Sequence, residues 1–157
     1  MNRFFLIAIL FAAGCTSQTE SNSKSAESHT SADNKKLNAK SLEGCYLSVF
    51  NKDTSRLKIK ADNGRITGEL VYKRFEKDGN KGIINGEIKD SLIVAYYTFE
   101  AEGTTSVREV VFKPSDNGLL EGFGDIEISR SGDTAKFKDI SQLQFQESLT
   151  FIKENCK

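Results

Sequence analysis

Arg56-Leu57-Lys58-Ile59-Lys60, a turn at Asp62-Asn63-Gly64, and Ile66-Thr67-Gly68-Glu69-Leu70-Val71-Tyr72-Lys73 together decide the fold class. In the first run two aliphatic side chains fall on one face and three cations on the other. In the second, Ile66, Gly68, Leu70 and Tyr72 share a face, opposite Thr67, Glu69, Val71 and Lys73. Alternation with period two is the mark of a strand with one face in a core, and a polar Asn-Gly turn between two such runs is a hairpin signal.

The same pattern continues on both sides. Cys45–Phe50 precedes the hairpin, and Ile84–Ile88, Leu92–Phe99, Val107–Lys113 and Leu119–Ile128 follow it, rich in β-branched and aromatic residues. Turn clusters separate them at Asp78-Gly79-Asn80, Lys89-Asp90, Glu102-Gly103-Thr104, Pro114–Gly118 and Ser131-Gly132-Asp133, a regular spacing that belongs to all-β sandwiches and barrels. No helical period lasts long enough to supply crossovers, so the strands are expected to be antiparallel. After Asp133, Lys136–Ile140 and Leu149–Ile152 are read as closing strands, with a helical turn in Asp139–Glu147 as the alternative. The total is roughly eight strands, a number at which an up-and-down meander closes and can hold a small ligand. Gly68, Gly86, Gly122 and Gly124 inside strand patterns favour the curvature of a barrel over a β-sandwich.

Met1–Cys15 reads MNRFFLIAILFAAGC: one early cation, a short apolar run, small residues and a cysteine. It resembles the lipobox of bacterial lipoproteins, with Ala12 where a larger aliphatic residue is usual. The resemblance implies a signal peptide over 1–14 and lipidation of Cys15. The alternative is an ordinary secretory signal with a chance cysteine. The stretch that follows to Lys40 is Ser, Thr, Asn, Lys and Glu with hardly an apolar side chain, a composition that cannot offset its chain entropy. It reads as a tether, about 25 residues reaching on the order of 25–30 Å, and leaves 41–157 as the folded domain. With Cys15 acylated, Cys45 and Cys156 bracket that domain and are expected to form one disulfide; two buried free thiols are the alternative.

The chain has 157 residues, 22 Lys+Arg against 22 Asp+Glu, and one histidine, His29, in the polar stretch. A single domain and zero net charge argue against sequence-independent nucleic-acid binding. Without a histidine in 41–157, Ser-His and Cys-His machinery and His/Cys zinc sites are closed to it. No phosphate-binding glycine motif occurs, so neither cofactor nor metal is expected. A two-carboxylate hydrolase is the one enzymatic alternative, with no carboxylate pair to prefer.

Leu42-Glu43-Gly44-Cys45-Tyr46 is similar to the opening of lipocalin-like barrels, with Tyr46 in place of their tryptophan. Between Gly44 and Gly124 the chain also resembles uncharacterised lipoproteins of Bacteroidetes-type bacteria. The likeness rests on Glu76-Lys77-Asp78-Gly79-Asn80-Lys81-Gly82, Tyr97-Thr98-Phe99-Glu100-Ala101-Glu102-Gly103 and Ser106-Val107-Arg108-Glu109-Val110. It implies a monomeric barrel held through lipid in the cell envelope, at the outer membrane, and carries no activity with it.

One polar constellation stands out: Tyr72, Glu76, Tyr97, Glu102, Arg108 and Glu109. Pairing of Leu92–Phe99 with Val107–Lys113 makes Tyr97 and Arg108 neighbours, and Arg108 shares a face with Val110 and Phe112, which directs its guanidinium inward. A buried arginine needs a carboxylate, for which Glu76 and Glu102 are the candidates. The functional reading is a barrel-mouth site for a small polar or anionic ligand; the structural one is an Arg–Glu pair at the hairpin base. The expected function is a non-catalytic, lipid-anchored binding or interaction module. The alternative is a structural protein with a filled barrel that docks another envelope component.

Overall fold

The computed structural model describes residues 38–101 and 103–156. Cys15, the signal peptide and most of the tether lie outside them, as do Glu102 and the side chain of Ala101. Ten strands follow in chain order: β1 (Gly44–Phe50), β2 (Asp53–Asp62), β3 (Arg65–Lys73), β4 (Asn80–Lys89), β5 (Leu92–Ala101), β6 (Thr104–Ser115), β7 (Gly118–Phe123), β8 (Ile126–Ile128), β9 (Thr134–Phe137) and β10 (Gln144–Glu154).

β1 to β7 form an antiparallel meander, and β10 returns to pair with both β7 and β1. The result is a closed eight-stranded barrel, with β8 and β9 as additions outside it. The β2–β3 hairpin turns at Asn63 and Gly64, both with positive φ (48° and 83°), the backbone that a two-residue turn between twisted strands requires. Along the strands, Leu57, Ile59, Ile66, Leu70, Ile84, Ile93, Tyr97, Val110, Phe112, Leu119 and Phe151 alternate inward, each no more than 2% exposed. At Gly68 a Cβ would lie 1.8 Å from the carbonyl oxygen of Lys58, so the close approach of β2 and β3 admits only glycine there.

One end of the barrel is closed by a single 3-10 turn, Ala39–Leu42, capped by the Asn38 side chain, which accepts from the Lys40 N–H at 3.0 Å. Leu42 is buried beneath it, and the Tyr46 hydroxyl donates to the Leu42 carbonyl at 2.8 Å. Ordered structure thus reaches back before Ser41, because the cap and the Leu42 plug belong to the fold. Cys45 and Cys156 are joined there, with their Cα atoms 5.1 Å apart and a sequence separation of 111. The bridge sits beside the β1–β10 pairing, where the two ends of the domain meet. In the chain-entropy picture, closing so long a loop contributes about 4–5 kcal/mol.

Three expectations are corrected. Leu119–Ile128 is not one strand but two, broken at Gly124-Asp125. Gly122 and Gly124 do not curve the barrel: a Cβ on either would press on Leu143, and on Gly122 also on Phe145. They make room for the segment that returns over the outer wall. The antiparallel rule also has an exception, since β9 runs parallel to β6 at Val107 and Arg108. A pairing of two residues needs no helical crossover, because β7 and β8 supply the connection. The region after Asp133 combines both readings, with strands at Thr134–Phe137 and Gln144–Glu154 and a 3-10 turn at Ile140–Gln142 between them.

Candidate functional site: a polar strut across the lumen

β3 and β7 stand four places apart around the eight-stranded wall, on opposite sides of the lumen. Tyr72 ends the inward row of β3, and Glu121 follows Leu119 on the inward row of β7. Their side chains meet: the Tyr72 hydroxyl donates to Glu121 Oε1 at 2.5 Å. Arg108, inward on β6, donates from Nη2 to the Tyr72 hydroxyl oxygen at 3.0 Å and stands 3.7 Å from Glu121 Oε1. The hydrogen bonds therefore run from guanidinium to phenol to carboxyl. Tyr72 and Glu121 are buried, while the Arg108 side chain keeps 42% of its surface in solvent at the end away from the disulfide.

Aromatic rings pack round this strut. Tyr97 meets Tyr72 edge to face at 5.8 Å and stacks on Phe99 at 4.7 Å, and the Arg108 guanidinium lies 5.2 Å from the Tyr72 ring centre. Burial raises the Tyr72 phenol well above its ordinary value, and the neighbouring Glu121 charge adds to this, so the phenol keeps the proton it donates. Tyr97 is pushed up to about 12, chiefly by burial. The Glu121 carboxyl is raised by burial, against the opposing pull of the Tyr72 hydrogen bond and the Arg108 charge. Among the buried side-chain polar atoms described, the Tyr97 hydroxyl is the one without a hydrogen-bond partner.

The structure brings together Tyr72, Tyr97 and Arg108 and places Glu76 and Glu109 elsewhere. Glu76 is exposed in the β3–β4 loop with positive φ, away from Arg108. Glu109 points to the outer face, where its carboxylate accepts the Phe137 N–H at 2.9 Å and ties the β8–β9 excursion to the wall. Val111 on the same outward row is fully buried, so this stretch of the outer face is shielded from water. Glu102 lies outside the described residues. The carboxylate that Arg108 requires is Glu121, which the sequence reading missed. Its signal was weak because Leu119 and Leu120 make both faces of β7 apolar.

Chemically, the cluster holds a carboxyl already engaged by the Tyr72 hydroxyl and the Arg108 charge. Among the described residues no group of three or more His, Cys, Asp or Glu side chains is placed to hold a metal. An outer hollow of about 670 Å³ lies beside a bulge in β10, lined by Leu47, Val49, Leu120 and Ile152. None of Tyr72, Tyr97, Arg108 and Glu121 forms part of it. No family model, curated protein or solved structure matches the chain.

Two tyrosine-to-phenylalanine substitutions should behave oppositely. Tyr72→Phe strips Glu121 and Arg108 of their shared partner and should cost about 1–3 kcal/mol in a urea melt. Tyr97→Phe removes an unpartnered hydroxyl and should stay within about 0.5 kcal/mol of the parent or exceed it. Equal losses would contradict the assignment.

The raised Glu121 carboxyl makes a second prediction, read as pH dependence. The folded state holds this proton to higher pH than the unfolded chain does. Its contribution to stability is full below the ordinary carboxylate range and is lost as pH rises through the raised folded value. Glu121→Gln does not titrate, so its melting temperature relative to the parent should climb between about pH 4 and pH 7. A relative melting temperature that falls over that range would mean the folded carboxyl is lowered instead.

Proposed function

We propose that the chain is a lipid-anchored protein of the bacterial cell envelope, at the outer membrane, and that its domain is a filled, non-catalytic interaction module. The single observation behind the filled-barrel reading is the Tyr72–Glu121 strut. It joins opposite walls where a lumenal ligand would have to lie, with Tyr97, Phe99 and Arg108 packed against it. At the other end Leu42 occupies the opening. Binding then falls to the outer surface. The anchor is supported by the lipobox-like run ending at Cys15, by the polar segment after it, and by the resemblance to Bacteroidetes-type lipoproteins. The disulfide fits an oxidising compartment outside the cytoplasm.

A small polar or anionic ligand at the Arg108 end is the competing reading. The half-exposed guanidinium and the unpartnered Tyr97 hydroxyl favour it, and it requires the strut to yield.

Membrane fractionation and native mass spectrometry test both halves. Cys15→Ser should move the protein from the membrane to the soluble fraction, and continued retention would end the lipoprotein reading. The detergent-extracted parent should carry the mass of its chain and acyl groups alone. A stoichiometric small molecule that disappears in Arg108→Ala would favour the ligand instead.

A further inference from the structure

Charge is distributed unevenly round the barrel. Lys52 to Lys89, the stretch that builds β2, β3 and β4, holds ten basic and six acidic residues, whereas Glu100 to Glu127 holds two basic and seven acidic, of which Glu109 and Glu121 are buried. Because β2–β4 are consecutive neighbours in the wall, alternation sends Lys58, Lys60, Lys73 and Lys81 out on one side of the molecule, all exposed. Part of this charge is matched locally: Lys81 pairs with Glu69 at 3.1 Å and Arg74 with Asp53 at 3.1 Å.

Two large apolar side chains are exposed on this wall and the loop that joins its strands. Ile83, on the outward row of β4, is 63% exposed, and Phe75, in the β3–β4 loop, is 46% exposed. Phe75 is held in that position. Its N–H donates to Asp53 Oδ1 at 2.8 Å, Asp53 Oδ2 accepts from Arg74, and Lys52 Nζ stands 3.9 Å over the ring. An exposed aromatic ring held against Lys52, with an exposed isoleucine on the strand that follows, combines the two features of a surface that rests on a bilayer. Cations meet anionic headgroups, and apolar groups enter the boundary beneath them.

We propose that the β2–β4 wall docks the domain on an anionic lipid surface, with Phe75 and Ile83 inserting between headgroups and the surrounding lysines facing phosphate. Charge complementarity selects this occupant. The contact is separate from the acyl group on Cys15. A tether of the length read from the sequence would raise the local concentration of this wall at the bilayer, so a modest intrinsic affinity suffices.

Vesicle flotation of residues 35–157 tests it, since that unit closes on its own core and carries its own disulfide. The domain should float with vesicles containing phosphatidylglycerol, not with phosphatidylcholine alone, and should be released by high salt. The double variant Phe75→Ala, Ile83→Thr should bind at least about tenfold more weakly with an unchanged melting temperature, while Lys113→Glu should float like the parent. Equal flotation on both lipids, none on phosphatidylglycerol, or a double variant that floats like the parent would overturn the proposal. Capture of the wall by an acidic protein, without flotation, would overturn it too. Because no acyl group is present, failure here is distinguishable from failure of the Cys15 anchor, which fractionation reads separately.

Discussion

An ionisable carboxyl inside an apolar barrel must be satisfied where it stands, and that requirement organises the upper lumen of this molecule. Glu121 projects inward because Leu119 before it belongs to the core, and turning it outward would expose the leucine. A lone carboxylate there would be costly. Tyr72 crosses from the opposite wall to meet it and Arg108 reaches in from the barrel end, so that charge and hydrogen bond are supplied together. Once those three side chains converge, little of the lumen is left at that level, and Tyr97 and Phe99 take up the space beside them. A polar network that is satisfied in this way also specifies one arrangement of the walls.

Closure depends on a second, topological constraint. The meander alone would leave β1 and β7 as open edges, ready to pair with another chain. β10 removes both edges by lying between them, but it does so only by bringing the last residues of the domain back to the first. The Cys45–Cys156 bridge sits at this seam. It counters the entropy of a closure that local contacts cannot support. The chain enters the barrel at the same end, through the Ala39–Leu42 turn, so the disulfide, the plug and the chain entry are gathered in one place.

The barrel was legible because its inward rows are clean: Leu57 and Ile59, then Ile66, Leu70 and Tyr72, alternate with charged or polar neighbours, and Asn63-Gly64 marks the turn. The disulfide was legible from the position of two cysteines that bracket the folded domain. Where both faces of a strand are apolar, alternation carries no information. This hid Glu121 among Leu119, Leu120 and Phe123, and it merged β7 with β8. The break at Gly124 follows from side chains of a distant segment, Phe137 and Leu143, which nothing local announces. Glu109 illustrates the opposite case. The period that directs Arg108 inward directs its neighbour outward, so strand geometry by itself separates the two residues that the sequence reading had placed in one site.

The central claim is that the lumen is filled by a hydrogen-bonded strut, and the proton shared between its two walls is the most direct reporter. In proton NMR near neutral pH, the Tyr72 hydroxyl should give a resolved, slowly exchanging resonance with cross-relaxation to the Arg108 guanidinium protons. A Tyr72 hydroxyl that exchanges with bulk water as fast as an exposed phenol would mean the lumen is open and the strut is not formed.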